Sequence, residues 1–115
     1  MVIILILLFI EGAYMKDYSK VKQDVSQICV KIKKHIEKIE SQPSCMDNPE
    51  ENSEIENDLS FVVRRCLRAK NDEFRQFIMD ELNEIKIIVD DYIVNIDPGN
   101  EHIQSLRDQL SLVIF

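Results

Sequence analysis

YMKDYSKVKQDVSQICVKIKKHIEKIE, residues 14–40, decides the fold. Its apolar residues fall at Tyr14, Tyr18, Val21, Val25, Ile28, Ile32, Ile36 and Ile39, with steps of 4, 3, 4, 3, 4, 4 and 3. That spacing is one face of an α-helix held for about seven turns. The opposite stripe, Asp17, Lys20, Asp24, Gln27, Lys31, Lys34 and Lys38, keeps the same period and is charged or polar throughout. A helix with one apolar and one charged face packs on other helices, so the stretch predicts an all-α protein, a bundle of three to four amphipathic helices.

Working outward, Pro43 disfavours helical dihedrals at Gln42 and ends this first helix. Ser41–Asn52 is acidic, carries Pro and is almost free of apolar residues, which predicts a loop. Ser53 is placed to cap a second helix with Ile55, Leu59, Val62, Cys66 and Leu67 inward. Asn71 or Asp72 caps a third, through Phe74, Phe77, Ile78, Leu82, Ile85, Val89, Tyr92 and Ile96, unless the second and third run on as one. "DPGN", residues 97–100, is a firmer break. A last helix then carries Ile103, Leu106, Leu110 and Val113. Val25, Ile28, Ile32, Val62, Phe77, Leu82, Ile85 and Leu110 are the expected core.

Chain order follows from link length, because a residue spans at most about 3.3 to 3.6 Å. The turn around Pro98 is too short to return along a helix, so an up-and-down order is favoured over an up-up-down-down one. The total of 115 residues supports one core, and only two Gly and three Pro interrupt it. Charge is segregated along the plan: residues 16–38 hold seven Lys against three acids, and residues 72–97 hold eight acids against two bases. First and third helices are thus electrostatically complementary neighbours, or else opposed surfaces that steer a partner.

The net charge of −7 argues against sequence-independent nucleic-acid binding, which relies on surplus Lys and Arg. Enzymatic constellations are poor. His35 lies beside the inner face of the first helix and His102 in the first turn of the last, with no ExxH or HExxH pattern, and the ordinary reading is a helix-boundary and a capping or surface histidine. Pairs such as Glu81 with Glu84 read as solvated charge, and there is no Gly-rich phosphate loop. No enzyme activity, metal, cofactor or small-molecule substrate is expected; a protein partner is. The three cysteines form no metal-ligand spacing. Laying the second helix on the first brings Cys29 and Cys66 level, which allows a disulfide if their Cα atoms come within roughly 7 Å. Two buried thiols, or a bridge from Cys45 to either, are the alternatives.

The chain opens "MVIILILLFIEGA", residues 1–13. Its apolar run, followed by small residues, has the length of a secretory h-region, and cleavage between Ala13 and Met15 would leave residues 14–115 as the domain. As a helix the run spans only about 14 Å, too short for stable membrane insertion. The alternative is an apolar element retained in the core of a cytoplasmic protein.

This layout resembles the short-chain four-helix cytokines of the interleukin type: a signal-like start, a long first helix, a loop holding Pro43 and Cys45, a second helix carrying Cys66, and a short apolar terminal helix. The resemblance implies a small secreted ligand that binds a cell-surface receptor through exposed helix faces. It points to Asp17, Lys20, Asp24, Gln27 and Lys31 on the first helix and to Gln104, Arg107, Asp108 and Ser111 on the last. The alternative function is a non-secreted adaptor or host-modulating interaction protein.

Overall fold

The computed structural model describes residues 2–42 and 48–114, with side chains from residue 19 onward. The described residues form four helices: α1 (Val2–Ser41), α2 (Pro49–Arg68), α3 (Asp72–Asn95) and α4 (Glu101–Leu110). α1 begins within the apolar opening rather than at Tyr14. The side chains of that opening and of Asp17, and all of Cys45, lie outside the described residues. No described helix is long and apolar enough to cross a membrane.

Three of the helices start on an asparagine. Asn48, Asn71 and Asn100 each sit in extended backbone and accept a hydrogen bond from the amide three residues on, at 3.1, 2.9 and 3.0 Å. Each side chain thereby satisfies one of the amides that a helix start leaves without an internal partner. α2 therefore starts at Asn48 and Pro49, and the expected cap at Ser53 lies a full turn inside it. Pro at the first helical position and Glu50 and Glu51 in the first turn complete that start, since carboxylates there meet the positive end of the helix. α2 and α3 are separate helices, joined through the extended Ala69, whose carbonyl accepts from the Arg75 guanidinium.

Helix directions follow from which residues meet. Lys31 pairs with Glu54 and Asp58, while His35 and Lys38, further along α1, pair with Glu51, so α1 and α2 are antiparallel. Lys22 lies over the Phe77 ring and Lys33 pairs with Glu84, so α1 and α3 are parallel. Tyr92 meets Asn100 and Asp90 meets Arg107, which turns α4 back along α3. The order is up, down, up, down. α1 and α4 each pack on both α2 and α3, and they approach one another least.

The core runs the length of this bundle. Val25, Cys29, Ile32, Ile36 and Ile39 from α1 meet Ile55, Leu59, Val62, Val63 and Cys66 from α2, a long stripe from Ile78 to Tyr92 on α3, and Ile103, Leu106 and Leu110 from α4. Six of the eight residues expected at its centre are there; Ile28 and Phe77 are only partly buried and pack against its edge. The inner line of α1 passes through Cys29 instead of Ile28, a shift of one residue. Leu67 and Ile96, also expected inside, are exposed, and Val63, not among the residues expected inside, is buried in α2.

The expected Cys29–Cys66 bridge is not formed: both are free, buried thiols. The pairing of Lys31 with Glu54 and Asp58 sets Cys29 level with about residue 58 of the antiparallel α2, so Cys66 lies about two helical turns further along, roughly 12 Å. The cause is the early start of α2, which carries Cys66 past the level of Cys29. Burial, then the Glu81 carboxylate, pushes the Cys29 thiol up to about 12, so it remains an un-ionised apolar side chain.

Candidate functional site

The most chemically structured part of the molecule lies where α1, α2 and the start of α4 converge. The apolar periodicity that buries Ile32, Ile36 and Ile39 brings His35 inside with them, at 5% exposure. On the opposite diagonal, the Asn100 cap fixes the first turn of α4 and so places His102 inward. The two imidazoles meet edge to face, with Nε2 to Nε2 at 2.9 Å, ring centres 5.1 Å apart and planes at 86°. α2 supplies a carboxylate for each ring: Glu51 Oε1 lies 3.1 Å from His35 Nδ1, and Glu56 Oε2 lies 3.6 Å from His102 Nδ1. Lys38 reaches the other Glu51 oxygen at 3.5 Å. His35 is thus a buried residue and His102 a partly buried one with its ring turned inward against it, rather than the boundary and capping or surface histidines expected from the sequence.

The electrostatics follow from burial and proximity. Loss of water, and then the neighbouring His35, hold His102 below its ordinary value of 6.5, against the opposing pull of Glu56. The hydrogen bond from His35, rather than Lys38, is the main cause that keeps Glu51 below its ordinary range. Such a chain of carboxylate, imidazole, imidazole and carboxylate can hold a proton between α1 and α4. Among the described residues, no group of three or more His, Cys, Asp or Glu side chains is arranged to hold a metal ion.

His35 and Glu51 also form part of the wall of an open cleft between α1 and α2, shared with Gln27, Val30, Lys31, Lys34, Glu50 and Glu54. It continues along the same pair of helices past Asp24, Ile28, Asp58, Phe61 and Arg65. Lys31 spans the two parts, 2.6 Å from Glu54 and 2.9 Å from Asp58, and these hydrogen bonds raise its affinity for its proton. Val30 and Phe61, each 42% exposed, border the cleft, with the Arg65 guanidinium 5.4 Å from the Phe61 ring centre.

Of the residues expected to bind a receptor, Asp24, Gln27 and Lys31 line this cleft together. Lys20 is exposed below them. The α4 set lies elsewhere. Arg107 and Ser111 line a separate depression with Lys86, Asp90, Ile93 and Val94 of α3, Gln104 donates back to the Pro98 carbonyl, and Asp108 is exposed. The structure therefore does not join the two sets into one surface. In comparisons with protein-family models, curated proteins and solved structures, no match was found.

Proposed function

We propose that this bundle acts by binding another protein through the α1–α2 cleft. The observation that carries the reading is the pairing there of exposed apolar groups, Val30 and Phe61, with the charged Asp24, Lys31 and Lys34. Exposed apolar side chains set among charged ones are a feature of protein interfaces. The partner surface that fits has an apolar side chain to cover Phe61, a base to meet Asp24 and an acid to meet Lys34. In the first form of this reading the protein is a secreted ligand of cytokine type and the partner is a cell-surface receptor. The alternating helix order departs from the up-up-down-down interleukin plan and so counts against the cytokine form, and the second form is an adaptor that is not secreted.

Two measurements test it. Asp24→Lys should weaken partner binding more than about tenfold, about 1.4 kcal/mol, while thermal unfolding stays within roughly 0.5 kcal/mol of the parent. Asp91→Lys, on an exposed residue of α3 outside the cleft, is the control for general steering, whose effect falls on association rate and fades with salt. Equal, salt-erased effects from both would overturn the cleft as a binding face. The two forms separate by intact mass of protein from culture medium: a chain beginning between Ala13 and Met15 supports the secreted ligand, and recovery only inside cells supports the adaptor.

A further inference from the structure

The proton count of the buried histidine pair does not come out even. The line Glu51, His35, His102, Glu56 contains three gaps, at 3.1, 2.9 and 3.6 Å. Two neutral imidazoles bring one ring proton each, so one gap has none. With Glu51 holding His35 Nδ1–H, His35 Nε2 accepts from His102 Nε2–H, and the bare His102 Nδ1 faces the Glu56 carboxylate. That gap is the longest of the three, and His102 Nδ1 is a buried nitrogen with no hydrogen bond. One added proton fills it and gives every gap a donor and an acceptor. A further proton would set two N–H groups against each other across 2.9 Å.

We propose that His35 and His102 form a proton-operated latch that fastens α4 to α1, closed while the pair carries two or three ring protons and opened by a fourth. The groups that act on it are known from each side. α1 contributes Lys38 through Glu51, α2 contributes Glu51 and Glu56, and the charges that act on His102 are those of His35, Glu56 and Glu51. When the fourth proton arrives, each imidazolium still has a carboxylate of α2 beside it, so the contact that yields is the one between the rings. α4 is the shortest helix, at ten residues, and α1 packs on it least of its neighbours. The moving part is therefore α4, its base still tied by the Asn100 cap. Closed-state burial of both rings, 3% and 7% exposed at the side chain, supplies the second force: two cations at this separation are hydrated only if the helix lifts.

Amide hydrogen exchange on the full chain tests the latch, with rates corrected for the intrinsic pH dependence of exchange. An opening becomes about tenfold more favourable for each unit fall in pH when it takes up one proton, from the three-proton state, and about a hundredfold when it takes up two, from the two-proton state. Between about pH 7.5 and about pH 5, Leu106–Leu110 should lose protection at a slope up to the larger value, while Ile32 and Ile78 in the central core keep theirs. His102→Gln, which keeps a hydrogen-bonding group and cannot titrate, should flatten the α4 profile. Loss of protection in α4 and core together, or a slope that survives His102→Gln, would overturn the proposal. Should that variant fail to fold, ¹⁵N imidazole shifts of the parent decide: one unprotonated Nε2 is expected for as long as α4 stays protected. Two protonated Nε2 atoms in a fully protected α4 would rule the latch out.

Discussion

Ile32→Ala should lower the free energy of unfolding by about 2 to 5 kcal/mol, and Leu82→Ala by a similar amount. Both side chains are 0% exposed, at the centre of the α1 and α3 stripes. Removing three methylene-scale groups from either leaves a cavity that neighbours on three helices cannot close without shifting. The midpoint of thermal unfolding should fall on the order of 10 °C. Ile28→Ala makes the sharper comparison, because Ile28 lies one residue away at the edge of the core, and its loss should cost less than about 2 kcal/mol. Chemical denaturation of the three variants is the measurement. Equal losses at Ile28 and Ile32 would show that the inner line of α1 does not pass through Cys29.

The phase of α1 shows how far periodicity reads a fold. Steps of three and four establish that a helix exists and which half of it is apolar, but they cannot choose between Ile28 and Cys29, which are adjacent and both apolar. That choice belongs to the neighbouring helices. Leu67 is a different case: it lies on the same side of α2 as Val63, one turn further on, but at the end of the helix, where it is exposed while Val63 is buried. The start of α2 was legible in Asn48-Pro49-Glu50-Glu51, an asparagine cap, a proline at the first helical position and two acids in the first turn. The lack of apolar residues there outweighed that signal, and the resulting offset in α2 is what set Cys66 level with Cys29.

Charge was more informative than position. The excess of Lys in residues 16–38 and of acids in 72–97 anticipates Lys33 with Glu84, and the acids at the start of α2 anticipate Lys31 with Glu54 and Asp58. The histidine pair could not be anticipated in this way. Its members are 67 residues apart, and neither has a ligand or catalytic spacing to announce it. The one available sign was His35 beside the inner face of a helix, where an imidazole must find a hydrogen-bond partner once water is removed. The partner depends on how α4 docks, and docking is a property of the assembled bundle.

Asn100→Ala should destabilise the protein by about 2 to 4 kcal/mol, more than a helix cap alone contributes. Asn100 is a buried polar residue at 5% exposure and acts on two groups at once. Its Oδ1 accepts from the Ile103 amide at 3.0 Å, and its Nδ2 donates to the Tyr92 hydroxyl at 3.2 Å. Loss of the cap costs about 1 kcal/mol. The Tyr92 side chain is 1% exposed, so leaving its hydroxyl without that donor adds about 1 to 3 kcal/mol. Two further variants divide the sum. Asn100→Ser keeps an oxygen for the cap and loses the reach to Tyr92, so it should cost less than alanine. In a Tyr92→Phe background, Asn100→Ala should cost only the cap, and the difference between backgrounds is the coupling across the turn. Equal losses from Ser and Ala, with no coupling to Tyr92, would mean that α4 is anchored by its apolar residues Ile103, Leu106 and Leu110 alone. Because His102 is two residues beyond Asn100 in the same first turn, the cap also sets where that imidazole stands. A weakened cap should therefore loosen α4 even at neutral pH, where the histidine pair is not opened by added protons.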